Sequence, residues 1–173
     1  MLPLPASVAR AWTMLEQRLG SRFTLADLLE LISASRGKPI KVVQLPFPVG
    51  TDGAVLPLQD CDIIATRIGQ DHILTFGTQL HECAHLILGH VPLYVNGTRD
   101  ATPTWTTIND GLDGLNVAYL ERLMVQRSPA TAYDVPEEAD AELLASLLLE
   151  AFERSQHAIP VTVQALYGYD EQD

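Results

Sequence analysis

The sequence predicts an α+β fold, a small β-sheet with helices around it, in a single domain that spans residues 1–173. Apolar residues recur at helical spacing near both ends of the chain, and β-branched runs occupy the part between them. No internal repeat interrupts this order. A chain of 173 residues needs no staple, because domains of about 150 residues already bury roughly 70% of their unfolded surface.

The first two elements are predicted to be helices. Ser7 to Leu19 carries apolar residues at helical spacing. Thr24 and Asp27 form a capping-box pattern before a second apolar stripe, which Gly37 ends. Two successive helices also suggest a helix-turn-helix, but the second one carries acidic residues where a groove reader needs basic ones. We therefore expect two structural helices.

Three short segments are predicted to be strands. PIKVVQL (39–45) and DIIATRI (62–68) are β-branched and flank a loop rich in Pro and Gly. HILTF (72–76) follows the turn residues GQD (69–71) and is expected to form a hairpin with the strand before it. These strands make up the small sheet.

Helices are expected again after the sheet. Gly77-Thr78 supplies a break and an N-cap, and Gln79 to Gly89 contains no helix breaker before its last position. Further helices are predicted over residues 114–128 and 134–152. The polar segment 91–112 lies between the helix that ends at Gly89 and the one predicted over 114–128, and it is either the rim of a cleft or an ordinary surface loop.

Charge, hydrophobicity and cysteine content exclude several classes of protein. Eleven Lys and Arg against 22 Asp and Glu give a formal charge of −11, so direct nucleic-acid binding is not expected. Neither a signal peptide nor an apolar run approaching the ~20 residues of a membrane span is found, which predicts a soluble, cytoplasmic protein. Cys61 and Cys83 form no CxxC pair, so no disulfide framework is expected.

The segment LHECAHLILGH (80–90) contains the zinc-peptidase pattern H-E-x-x-H. His81 and His85 are four positions apart, so their imidazoles share one helix face and can bind one ion. Neutral imidazoles hold Zn²⁺, and an open coordination position keeps a water whose pKa falls to about 7. Glu82 beside the first histidine can take the proton of that water. A chance pair of helical histidines is the alternative.

A catalytic zinc usually has three protein ligands, so a third is expected further along the chain. The helix predicted over 134–152 is the best source, because Glu138 shares a face with small alanines that let two helices approach closely. Glu137 and Glu142 are its rivals, and a one-residue error in the helix start would favour Glu137.

Two further residues of the motif segment are assigned other roles. His90 follows His85 by five positions, and about 100° per residue turns it away from the ligand face. It is interpreted as a histidine that interacts with the dipole at the helix C-terminus. Cys83 points away from its two histidine neighbours and is interpreted as a core residue.

The segment LHECAHLILGH (80–90) and the helix predicted over 134–152 together resemble the ImmA/IrrE family of metallopeptidases. In that family the H-E-x-x-H helix pairs with a later helix of approximate pattern E-x-x-A-[ND]-x-[FL]-A-x-x-L-L, which EEADAELLASLLL (137–149) resembles. Glu142 stands where Asn or Asp is usual. The resemblance implies a zincin-like active-site helix. It assigns the zinc ligands and the general base as follows: His81, His85 and Glu138 bind zinc, and Glu82 is the base.

Members of this family commonly cleave a partner transcriptional repressor. The resemblance therefore implies a zinc-dependent endopeptidase that cleaves a helix-turn-helix repressor and switches gene expression in a mobile element or a stress response. The alternative is a zinc-stabilised interaction module without turnover, such as a toxin–antitoxin component. Glu82 favours the enzyme, because a structural zinc site has no use for a base and closes its fourth position with His or Cys.

Overall fold

A computed structural model of the chain describes residues 3–47, 50–90 and 135–157, and this part confirms the α+β fold. The described elements are, in chain order, α1 (Ala6–Leu19), α2 (Leu25–Arg36), β1 (Ile40–Leu45), β2 (Gly53–Pro57), β3 (Asp62–Arg67), α3 (His72–Leu88) and α4 (Val135–His157). The segment 91–112 and the helix predicted over 114–128 lie outside the described residues.

Both predicted N-terminal helices are confirmed, and α2 begins at the predicted capping box. The Thr24 hydroxyl accepts a hydrogen bond from the Asp27 backbone N–H at 3.2 Å, and Asp27 Oδ2 accepts one from the Thr24 N–H at 2.7 Å. Hydrogen bonds from the Thr24 side chain and backbone lower the pKa of the Asp27 carboxyl. Gly37 ends the helix in the left-handed conformation, at φ 69°.

The described sheet has three strands in the order β1-β3-β2. Its central strand, β3, pairs in parallel with β1 and antiparallel with β2. The strands predicted over 39–45 and 62–68 are thereby confirmed. The strand β2 lies inside the predicted Pro/Gly-rich loop and was not predicted. Its proline, Pro57, stands at the end of the strand, where the missing N–H is tolerated.

The strand predicted over 72–76 is wrong, because these residues form the first turns of α3. Asp71 caps this helix, and its Oδ1 accepts a hydrogen bond from the Leu74 N–H at 2.9 Å. Gly77 lies inside the helix rather than before it. A short apolar run does not distinguish a strand from a helix start, and here the cap and the apolar spacing beyond Gly77 decide for the helix. The hairpin partner of β3 is accordingly β2.

The helix α3 packs against α4, against β2 and β3, and against both N-terminal helices. The buried residues that α3 contributes to the main core are Leu80, Cys83, Ala84 and Leu86. Those of α4 include Ala141, Leu144 and Leu148. None of the helices in the described ranges combines the length and apolar character needed to cross a membrane. The central position of α3 fixes the face on which the motif histidines stand.

Candidate metal centre

The two motif histidines of α3 stand one helical turn apart and converge on one point. The Nε2 atoms of His81 and His85 are 3.0 Å apart, and the ring centroids are 4.7 Å apart. The His85 side chain is 1% exposed and the His81 side chain 30%. The site is therefore buried on the His85 side and open to solvent on the His81 side.

Glu138, near the start of α4, brings a carboxylate to the same point. Its Oε2 lies 3.3 Å from His81 Nε2 and 3.6 Å from His85 Nε2, and its side chain is 47% exposed. Ala141, three residues later on α4, is fully buried in the same core as Ala84 of α3. Small side chains at these positions let the two helices approach closely enough for the Glu138 carboxylate to reach both imidazoles.

Of the three acidic residues considered on this helix, Glu138 alone joins the two histidines. One ligand atom each from His81, His85 and Glu138 lies within 4.8 Å of the others, and neither Glu137 nor Glu142 belongs to this group. The Glu142 side chain is exposed. The buried face of α4, which includes Ala141, Leu144 and Leu148, sets the orientation of the helix in which Glu138 reaches the histidines.

The spacing of the three ligand atoms fits a tetrahedral ion. Bonds of about 2.0–2.1 Å at tetrahedral angles separate two ligand atoms by about 3.3–3.4 Å. The three observed separations are 3.0, 3.3 and 3.6 Å, and their average falls close to this value. Two imidazoles and a carboxylate are also a donor set that zinc accepts, leaving a fourth position for water. These residues could therefore hold zinc.

Glu82 occupies the space between α3 and the beginning of β2. Its side chain is buried, and its Oε1 would be only 3.1 Å from a Cβ atom placed on Gly53. Such a Cβ would also lie 2.4 Å from Thr78 Cγ2, one turn earlier on α3. The absence of a side chain at Gly53 is thus what lets the carboxylate and the strand share this space, and nothing in the sequence marked Gly53 for this role.

Cys83 lies in the core, as its position in the motif predicted. It is fully buried, and burial raises the pKa of its thiol far above the ordinary value, with a smaller contribution from the Glu82 carboxylate. A thiol in this state stays protonated and is not a metal ligand. Both cysteines are free, in agreement with the expected absence of a disulfide.

His90 lies beyond the C-terminus of α3 and outside the three-residue group, but it contacts a member of that group. Its Nδ1 is 3.0 Å from His85 Nδ1. The rotation of about 100° per residue used in the sequence analysis holds only while the helix continues, and the chain leaves the helix at Gly89. The sequence signal for this contact was the dipeptide Gly89-His90, because a left-handed glycine folds the next residue back over the last turn of the helix.

Comparisons of this chain with protein families, curated proteins and solved structures found no match. Three electron-pair donors converge, and no Lys or Arg of the described ranges ion-pairs with Glu138. Such an arrangement is suited to binding a cation.

Proposed function

We propose that this chain is a zinc-dependent endopeptidase of the ImmA/IrrE type. The observation that carries the proposal is the convergence of His81, His85 and Glu138 on one point at tetrahedral spacing. Glu82 follows the first histidine directly, as in the zinc-peptidase pattern. The resemblance of the two motif segments to the family supports the same assignment.

In the proposed mechanism, His81, His85 and Glu138 hold the ion and Glu82 moves the proton. Zinc held there would supply a water of lowered pKa and polarise the carbonyl of the peptide. Glu82 would accept a proton from that water as the water oxygen attacks the carbonyl carbon. The same carboxyl would then donate the proton to the amine nitrogen as the C–N bond breaks. The Glu82 side chain is buried, and its carboxylate lies near Gly53 at the start of β2.

The proposed substrate is a helix-turn-helix repressor protein, an assignment that depends on the family resemblance. The formal charge of −11 agrees with a protein rather than a nucleic acid as the partner. A cytoplasmic location belongs to the same proposal, because a repressor bound to DNA would be met there.

The test combines zinc content with cleavage of a candidate repressor encoded beside this chain. Elemental analysis of the purified protein should give close to one zinc per chain. Glu82→Gln should keep the zinc and the thermal stability, because the side chain is not a proposed ligand. It should lose cleavage by at least the ~10²–10⁴-fold that general acid–base catalysis contributes. Glu30→Gln, which changes an exposed glutamate on α2, is the matched control.

The outcomes separate the proposals. A folded, metal-free protein that refuses added zinc would exclude the metallopeptidase. A zinc-loaded wild type that binds the repressor without cleaving it would favour the interaction module instead. Full cleavage by zinc-loaded Glu82→Gln would remove Glu82 as the base.

A further inference from the structure

The last turn of α3 ends in a hydrogen-bonded motif that places His90 beside His85. Gly89 adopts the left-handed conformation at φ 74°. Its N–H donates to the Leu86 carbonyl at 3.3 Å, and the His90 N–H donates to the His85 carbonyl at 3.0 Å. This is the Schellman pattern of helix termination. It places the backbone of His90 directly beneath His85, whose carbonyl it caps.

The same motif brings the two imidazole rings together. The Nδ1 atoms of His85 and His90 are 3.0 Å apart, and the ring centroids are 5.1 Å apart in an edge arrangement. Two ring nitrogens at this distance form a hydrogen bond only if one carries a proton and the other does not. The direction of the bond therefore depends on the tautomer of each ring.

The proposed metal centre decides that direction. Nε2 of His85 faces His81 Nε2 at 3.0 Å and Glu138 Oε2 at 3.6 Å, so Nε2 is the nitrogen available to an ion. A neutral imidazole that offers Nε2 as a ligand carries its proton on Nδ1. The Nδ1–H of His85 then donates to His90 Nδ1, and His90 carries its own proton on Nε2.

We propose that His90 is a positioning residue that holds His85 in the tautomer and ring orientation required of a metal ligand. The inference rests on the proposed metal site but concerns a residue outside its three ligands. Histidine ligands usually donate their second N–H to an acceptor that fixes the ring. The His85 side chain is 1% exposed, so solvent has little access to replace that acceptor. A histidine that only interacts with the helix dipole would need no such alignment of the ring nitrogens.

Three single variants test the role of the His90 ring. His90→Ala removes the acceptor and keeps the backbone N–H that caps the helix. His90→Asn keeps an acceptor, because Oδ1 can take roughly the place of Nδ1. His72→Ala, which removes an exposed histidine at the other end of α3, is the matched control. All three should remain folded, as measured by circular dichroism of the zinc-free protein, and His72→Ala should keep the thermal stability of the wild type.

Zinc affinity, measured by competition with a chelating indicator, should separate the variants. His90→Ala should bind zinc about 10–100-fold more weakly than the wild type, as loss of such a partner typically does. His90→Asn should recover most of that loss, and His72→Ala should match the wild type. Equal affinities for His90→Ala and the wild type would overturn the proposal. An asparagine variant as weak as the alanine variant would overturn the acceptor role.

A second measurement reports the hydrogen bond of the His85 ring directly. Proton NMR of the zinc-loaded protein should show the His85 Nδ1–H as a downfield, slowly exchanging signal in the wild type and in His90→Asn, and as a faster exchanging signal in His90→Ala. An unchanged signal in His90→Ala would overturn the inference even in a protein with full peptidase activity. Conversely, a wild type that binds zinc, shows the His90 effects and cleaves nothing would overturn only the peptidase. A wild type without zinc affinity would overturn both.

Discussion

Two clusters of ionisable side chains in this molecule differ in the partners that surround their carboxylate. At the start of β3, Asp62 is fully buried and ion-pairs with both Arg36 and Lys38, whose Nζ lies 2.8 Å from Asp62 Oδ1. Lys38 Nζ also donates to the Leu58 carbonyl at 2.7 Å. This carboxylate ties α2 and the segment before β1 to the central strand, and the chain supplies its cations.

The cluster between α3 and α4 gathers electron-pair donors instead. Glu138 meets the imidazoles of His81 and His85, and no Lys or Arg in the described part of the chain ion-pairs with it. The carboxylate of Asp62 is thus neutralised by cations of the chain itself. The donors of the proposed metal site lie together without such a cation in the described residues, and we propose that a metal ion supplies the positive charge. The comparison yields variants that should affect one cluster and leave the other unchanged.

The largest expected effect on stability is at Asp62. Replacing both partners, as Arg36→Met with Lys38→Met, leaves a buried carboxylate without its two cations. The free energy of unfolding should fall by about 3–5 kcal/mol, as measured when buried ion pairs lose a partner. Urea unfolding measures this loss, and zinc affinity should stay at the wild-type value.

Adding Asp62→Asn to that double variant is the control. It removes the uncompensated charge and should recover part of the lost stability. A triple variant no more stable than the double would show that the loss comes from packing of the long side chains rather than from the buried charge.

The next effect on stability is expected from replacing Glu138, and only when zinc is present. Zinc at a free concentration about 100 times its dissociation constant should stabilise the wild type by about 2.7 kcal/mol. Glu138→Gln should lose most of this gain. The metal-free variant should unfold within about 0.5 kcal/mol of the wild type, because the side chain is half exposed. Thermal or urea unfolding with and without zinc measures both quantities.

Glu142→Gln is the matched control on the same helix, since Glu142 is exposed and outside the three-residue group. It should keep the full zinc-dependent gain. Loss of that gain in Glu142→Gln, with Glu138→Gln unaffected, would reverse the assignment of the third ligand.

Sequence reasoning succeeded where a local pattern determines the structure. The capping box at Thr24 and the glycine stop at Gly37 define α2 by contacts within a few residues. Helical spacing likewise placed His81 and His85 on one face, as the structure has them. The phase of one helix left Glu137, Glu138 and Glu142 open, and the family resemblance chose Glu138, which the structure places beside both histidines.

One failure concerns a local signal. The run 72–76 is apolar enough for a strand, but Asp71 caps a helix that begins at His72, and Ile73 is 76% exposed there. The other failures concern features that depend on distant parts of the chain. The strand β2 exists because β3 offers it an edge, which the Pro- and Gly-containing sequence did not reveal. Gly53 likewise acquires its role only when Glu82 is packed against it.

Compared with the Asp62 cluster, a smaller loss of stability is expected at the contact between Gly53 and Glu82. Gly53→Ala places a Cβ 2.4 Å from Thr78 Cγ2, 3.0 Å from the Ala65 carbonyl oxygen and 3.1 Å from Glu82 Oε1, so at least one neighbour must move. Such overpacking costs about 1–3 kcal/mol. None of these three neighbours is a proposed zinc ligand, so zinc affinity should stay near the wild-type value while cleavage of the repressor falls.

The matched control is Gly77→Ala, because an added Cβ at Gly77 meets nothing within 4 Å and the residue lies inside α3. That change should stabilise the helix by about 0.5–1 kcal/mol and leave cleavage intact. Adding Thr78→Ser to Gly53→Ala removes the closest contact, the Thr78 methyl, and leaves the one with Glu82. If stability returns while cleavage stays low, the remaining defect lies in the position of Glu82, which links the start of β2 to the proposed base. If cleavage returns as well, the space around Glu82 tolerates a methyl group, and Gly53 serves only the packing of α3 against the sheet.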